Sequence, residues 1–283
     1  MGAVQSLLTT SNTNNINTGT KRALLIGANY INSSNRLYGC VNDVVNVKSF
    51  LLANTDLNYS NDNITLMTDD PTLTPDSSLL PTKVNIIAQM KRLLALTSSG
   101  DTLFIHYSGH GEQLPDPSRG SYLNGEDDCL IPIDNDPITD DELNALLVKS
   151  LKPGANLIFF SDSCNSGSIL HLPLRLTLTQ LSDPSYVIDN PSELGQEDSK
   201  DIVMISGCRS DEGSGDTYEN RQAQGCFTWA ILSVFNDNRC LLNSISWKQL
   251  LLLVREKLIS HTYQQVPQLA FSSLNYLNSD CDI

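Results

Sequence analysis

Two short polar motifs carry residues able to do covalent chemistry: HYSGHG at 106–111 and SDSCNSG at 161–167. Their reactive pair is His110 and Cys164. A thiol near neutral pH is mostly protonated, and its thiolate is the nucleophile. An imidazole beside it can take that proton and later hand it to a leaving amine. Gly109 and Gly111 flank the histidine, so the backbone there can turn sharply and approach a substrate. Backbone N–H groups in such a turn can face a developing oxyanion, and the candidate donors are Gly111 and Cys164 itself. A lone cysteine is usually an inert core residue, and a lone histidine usually has a structural partner. Here the two stand in matched contexts, which favours chemistry.

The context is a strand end. Each motif follows an apolar run, Leu103-Phe104-Ile105 in one case and Leu157-Ile158-Phe159-Phe160 in the other. Such runs read as buried parallel strands. In open parallel sheets, chemistry sits where the chain leaves the strand carboxyl ends. Further strands are expected at 22–29, 63–67 and 201–208, with an edge strand at 266–271. Helices are expected at 41–53, 82–96, from 139 onward, at 224–235 and at 246–260. In the second helix Val84, Ile87, Ala88, Lys91 and Leu94 have the spacing of a core face. Residues 69–81, 112–125 and 171–200 read as loops, the last a lid or processing segment that carries the basic residues Arg175 and Lys200. Strands alternating with helices predict an α/β sandwich with a mostly parallel central sheet.

The chain has 283 residues and a net charge of −14. That charge argues against nucleic acid as the main partner and suits basic peptides, calcium or plain solubility. Its seven cysteines are dispersed, with no CxxC and no zinc spacing, which points to free thiols in a reducing cytoplasm. No apolar run reaches membrane-spanning length. Residues 1–20 are rich in Asn, Thr and Ser and read as a disordered tail, and 21–283 as the catalytic unit. The opening MGAVQS fits an N-myristoylation pattern with Gly2 as acceptor. One such chain gives only marginal membrane binding. Asp43 falls in a helix first turn, where it would favour the positive helix end. Asp140 and Asp141 do the same near 139, and with Asp127 and Asp128 they could also gather oxygen ligands for Ca²⁺.

HYSGHG and DSCNSG, preceded by LYGCVND at 37–43, resemble the metacaspases, clan relatives of the caspases, whose histidine lies about 50 residues upstream of the cysteine. The layout is similar to type I members, without their long Pro/Gln-rich prodomain. The resemblance implies a caspase-like three-layer α/β/α sandwich, a thiol endopeptidase acting through His110 and Cys164, and a monomer. It implies a pocket for the basic side chain before the cut bond. Cys40, Asp43, Ser108 and Asp162 would form that pocket, with Asp211 near it, and the substrates would carry Arg or Lys there. It further implies calcium activation through Asp127, Asp140 and Asp141, while Arg175 and Lys200 in the 171–200 segment make self-cleavage an expectation of the sequence itself. The family's further acidic ligand lies in an LDLP segment, whereas this chain has LHLP with His171, and imidazole is a poor calcium ligand. Two alternatives stand beside the peptidase: a catalytically silent interaction protein of the same fold, and a peptide ligase using the same acyl-enzyme.

Overall fold

The computed structural model describes residues 19–115, 126–164, 166–180, 183–188, 200–209, 216–219, 222–237, 245–273 and 279–283. In chain order these form β1 (Lys21–Gly27), α1 (Cys40–Ala53), β2 (Ile64–Thr68), α2 (Lys83–Leu96), β3 (Thr102–Ser108), β4 (His110–Pro115), β5 (Glu126–Ile131), β6 (Ile138–Thr139) and α3 (Asp140–Leu143). There follow β7 (Asn156–Asp162), β8 (Leu174–Gln180), β9 (Asp183–Ile188), β10 (Asp201–Ser206), β11 (Asp216–Glu219), β12 (Gln222–Gly225), α4 (Cys226–Asp237), α5 (Trp247–Ser260) and β13 (Gln268–Phe271).

An eight-stranded sheet in the order β2-β1-β3-β7-β10-β13-β8-β9 forms the middle layer. The five strands from β2 to β10 are parallel, and β13, β8 and β9 join antiparallel. Both faces are covered, which is why the parallel strands read as continuous apolar runs. Alternate residues of β1 go to opposite faces. Ala23 and Leu25 pack with α1, α4 and α5. Leu24 and Ile26 pack with α2 and the turn of helix around Leu143 and Leu147. The α/β sandwich with a mostly parallel central sheet is what the alternation of elements predicted, and its three layers are those that the family resemblance implied.

Local sequence fixes the helix starts. Thr82 accepts from Asn85 N to cap α2, and capping boxes open α3 (Thr139 with Glu142) and α5 (Ser246 with Gln249). Asp43 does not cap α1: Gly39 is the cap residue, and the Asp43 side chain is fully buried and turned elsewhere.

Five expectations need correction. Residues 112–115, read as the start of a loop, belong to β4 and pair with β5. The buried face of α2 is Ile86, Met90, Leu93 and Leu94, while Val84 is 73% exposed. The proposed stripe was tilted because Val84 lies in the first turn, before the helix meets the sheet. Residues 171–200 are not all loop, because β8 and β9 lie within them. β13 is not an edge strand, since β10 and β8 flank it. Thr20 is not part of a free tail: its N–H donates to Asp101 Oδ1 at 2.7 Å and its carbonyl accepts from Thr102 N at 3.1 Å. Gly2 and the rest of residues 1–18 lie outside the described residues, as do 189–199.

The corrected α2 face is testable. Met90→Ala is expected to destabilise by about 2–5 kcal/mol, and Val84→Ala by less than about 0.5 kcal/mol. Urea midpoints of the two variants measure this, and equal shifts would contradict the assigned face.

Candidate active site

β3 pairs with β7 in register, Tyr107 opposite Ser161 and Ser108 opposite Asp162. The two strands thus end at one level, and His110 and Cys164 each follow two residues later. Gly109 N donates to Asp162 O at 3.3 Å, which carries the pairing past the strand ends. A Cβ on Gly111 would lie 2.1 Å from the Cys164 carbonyl oxygen, so the two backbones touch there and only glycine fits. The two expected catalytic residues are therefore neighbours at the carboxyl edge of the sheet.

His110 is oriented from two sides. Its Nε2 lies 2.6 Å from the Asn35 carbonyl oxygen. A carbonyl only accepts, so Nε2 carries a hydrogen, which leaves Nδ1 as the atom with the lone pair in a neutral ring. Its backbone N–H donates to the Tyr30 hydroxyl at 2.8 Å, and the two rings lie 4.5 Å apart at 36°. Tyr30 in turn donates to Ile131 O at 2.5 Å. Burial pushes its phenol well above the usual tyrosine range, so it keeps that proton. Tyr30 has φ +53, a left-handed conformation uncommon for a large residue. Asp69 holds it there by accepting from Asn29 N (2.9 Å) and Ile31 N (3.0 Å).

Cys164 differs from the other described cysteines. It is half-exposed, whereas Cys40, Cys129, Cys208, Cys226 and Cys281 are buried. Burial pushes the thiols of Cys129 and Cys208 up to about 12, which suppresses their reactivity. Cys208 donates to Ser163 O at 3.1 Å and Ser166 Oγ to the same oxygen at 2.9 Å, so the backbone beside Cys164 is pinned.

Beneath this edge lie Asp43, Ser108 and Asp162. Ser108 Oγ donates to Asp43 Oδ2 at 2.7 Å, and Gly225 N donates to both Asp43 oxygens at 2.9 and 3.0 Å. Asp162 Oδ2 accepts from Thr228 N and Thr228 Oγ1, each at 2.8 Å. A Cβ on Gly225 would stand 2.1 Å from Asp162 Oδ2 and 2.9 Å from Asp43 Oδ2. The two carboxylates therefore both lie against the α-carbon of Gly225, where any side chain would collide with them. Cys40 lies buried at the start of α1, and Asp211 falls outside the described residues.

Sequence reasoning missed the groups behind these residues. Tyr30, Asn35, Gly225 and Thr228 belong to no motif, and their roles come from tertiary placement. His106 was visible inside HYSGHG. It is fully buried, with Nε2 3.3 Å from Thr228 Oγ1 and Nδ1 without a hydrogen-bond partner among the described residues. Thr228 gives its single hydroxyl hydrogen to the Asp162 carboxylate, so it must accept from His106 Nε2–H.

The acidic group near 140 differs from expectation. The side chains that come together are Asp140, Asp141 and His171, and Asp127 is not one of the three. His171 Nε2 lies 2.5 Å from Asp140 Oδ2, and Nδ1 3.6 Å from Asp141 Oδ1. Asp128 instead accepts from Ser168 N (3.1 Å) and Ser168 Oγ (2.7 Å). Calcium takes about six to eight oxygen ligands. Among the described residues, two carboxylates, one already engaged by an imidazole, fall short of that number. Arg175 sits in β8 between Ala270 of β13 and Val187 of β9, so its peptide bond is not on a loop. Lys200 reaches the carbonyls of Val148 and Lys149.

Burial lowers the His106 pKa from its ordinary 6.5 to about 3. As pH falls between those values the unfolded chain gains a proton that the folded chain refuses, so stability falls with pH by about 1.4 kcal/mol per unit. His106→Gln is expected to flatten this acid limb, and urea unfolding at a series of pH values measures it. An unchanged slope would contradict a neutral buried His106.

Known proteins resemble this chain in sequence and in fold. Residues 21–173 match the family model described as "Metacaspase, peptidase C14 domain". Metacaspase-1 of Candida albicans is 35% identical over 90% of this chain, which spans 65% of that relative's length. Metacaspase-1B of Aspergillus terreus is 34% identical over 90% of this chain and 76% of its own length. A crystal structure of a Geobacter sulfurreducens protein superposes with a TM-score of 0.60 at 19% identity, covering 92% of this chain and 97% of that one, a likeness of fold. The chain belongs to the metacaspases, the cysteine-type endopeptidases of the C14 peptidase family.

Proposed function

We propose that this chain hydrolyses peptide bonds after Arg or Lys, with Cys164 as nucleophile and His110 as general base and acid. The observation that carries the reading is the convergence of Asp43 and Asp162 on Gly225, directly below the edge that bears His110 and Cys164. With Nε2–H committed to Asn35 O, Nδ1 of His110 is the atom that takes the thiol proton. The thiolate adds to the substrate carbonyl, and the amides of Gly111 and Cys164 stabilise the oxyanion. His110 then protonates the leaving amine, and water enters to release the acyl-enzyme.

Asp43 and Asp162 hold the basic side chain by charge-assisted hydrogen bonds, with Ser108 fixing Asp43 and Cys40 in the pocket wall. Asp211 is the further acidic residue proposed for substrate binding. The enzyme works as a monomer in the cytoplasm, and a membrane is involved only through acylation of Gly2. Self-processing falls on Lys200 and not on Arg175, which lies inside β8. The ligase alternative shares the acyl-enzyme and differs only in the acceptor.

Purified protein should release fluorophore from an Arg-linked peptide and not from an Asp-linked one. Cys164→Ala should abolish turnover, and Asp43→Asn or Asp162→Asn should erase the Arg preference. Equal turnover of the Asp-linked peptide would overturn the pocket. Gly225→Ala would push a methyl group into both carboxylates and displace them. KM for Arg peptides should rise roughly tenfold or more, equivalent to about 1.4 kcal/mol, while alkylation of Cys164 keeps its rate. Mass analysis of products with added amine separates hydrolysis from ligation.

A further inference from the structure

The chain just after the nucleophile is fastened at three points to the segment that carries the acidic residues. Ser168 binds Asp128 Oδ2 through both its N–H and its hydroxyl. The Leu170 carbonyl accepts from Asn144 Nδ2 at 2.8 Å. His171 lies 2.5 Å from Asp140 Oδ2. Between these anchors Ile169 and Leu170 are fully buried. Asp140 is itself 1% exposed and accepts from Asp141 N at 2.7 Å and Asp128 N at 3.2 Å. Asp128 lies in β5, whose partner β4 begins at His110. The contact between His171 and Asp140 therefore closes a loop that joins both halves of the site.

A carboxylate at position 171 would make three acidic groups meet, two of them largely out of water. Like charges so placed repel, and a divalent cation would be needed to hold them. An imidazole N–H meets the same carboxylate directly. It also removes an oxygen ligand and occupies another, leaving the cluster with too few oxygens for calcium. His171 has φ +48, a conformation that Asp and Asn also tolerate, so the backbone would accept the exchange.

We propose that the His171–Asp140 contact replaces a structural cation, so that this enzyme holds its nucleophile segment in place without calcium and is indifferent to it. The catalytic part of this statement rests on the peptidase reading above, and the binding part does not. His171 is a positioning residue.

The test uses the full chain, with thermal unfolding and Arg-peptide turnover each measured in chelator and in millimolar calcium chloride. For the wild type, both the unfolding temperature and the rate are expected to match in the two conditions. His171→Asp is expected to unfold at a lower temperature and turn over slowly in chelator. Calcium should raise its unfolding temperature, as a ligand of the folded state must, and recover its rate by roughly tenfold. His171→Gln, which keeps an N–H donor, should stay indifferent to calcium.

A calcium-dependent rise in the unfolding temperature or rate of the wild type would overturn the proposal. So would a His171→Asp variant as stable in chelator as the wild type, or one that calcium does not stabilise. If no form turns over the peptide, the peptidase reading fails, while the unfolding temperatures still decide for or against the contact.

Discussion

The in-register parallel pairing of β3 with β7 is the constraint from which the site follows. It sets Ser108 beside Asp162 and makes both chains leave the sheet at the same height. Because side chains alternate along a strand, a slip of one residue would turn every one of them to the opposite face. The slip would bury the outward groups, and His110 would no longer stand beside Cys164. The same register continues into β1, where Gly27 faces Ser108. That pairing delivers the next few residues, Tyr30 and Asn35 among them, to the two sides of the imidazole. The apolar runs of these strands, covered on both faces, are what make the register costly to shift.

Around this frame the polar groups of the site are held by backbone amides, carbonyls and buried hydroxyls. Asp43 is tied by Gly225 N and Ser108 Oγ, Asp162 by Thr228 through two atoms, and His110 by Asn35 O and Tyr30. Donors fixed in this way do not have to reorganise when charge arrives, which is how a preformed site stabilises a charged ligand or transition state. His106 adds a directional step behind Asp162. Being neutral, it can donate to Thr228 and bring no positive charge up to the two carboxylates.

The catalytic edge was legible in the sequence because its two halves are local: an apolar run, then a Gly-flanked polar motif. The acidic pair was legible only through likeness to a family, since Asp43 on its own looks like a helix-end residue. Gly225 and Thr228 were not legible, because nothing in their neighbourhood shows that α4 starts against Asp162. β8 is a different kind of miss. Leu174, Leu176 and Leu178 alternate with Arg175 and Thr177 and are all buried, which is the period-2 signal of a strand. The polar residues that follow masked it. On α2 the error was one of phase: a helical period was present, but Met90 and Leu93, not Val84 and Lys91, face the sheet.

The strand order has a topological effect of its own. β10 lies between β7 and β13, and β13 lies between β10 and β8. Strands from before and after residues 189–199 are thus interleaved like the fingers of clasped hands. A chain severed in that stretch would have two new ends, yet neither fragment could leave without stripping two ladders of hydrogen bonds from the other. Lys21, which binds Asp282 and the Ile283 carbonyl oxygen, adds a rivet between the first strand and the last residues. Scission there would change the connectivity of the polypeptide while leaving one particle with one continuous sheet.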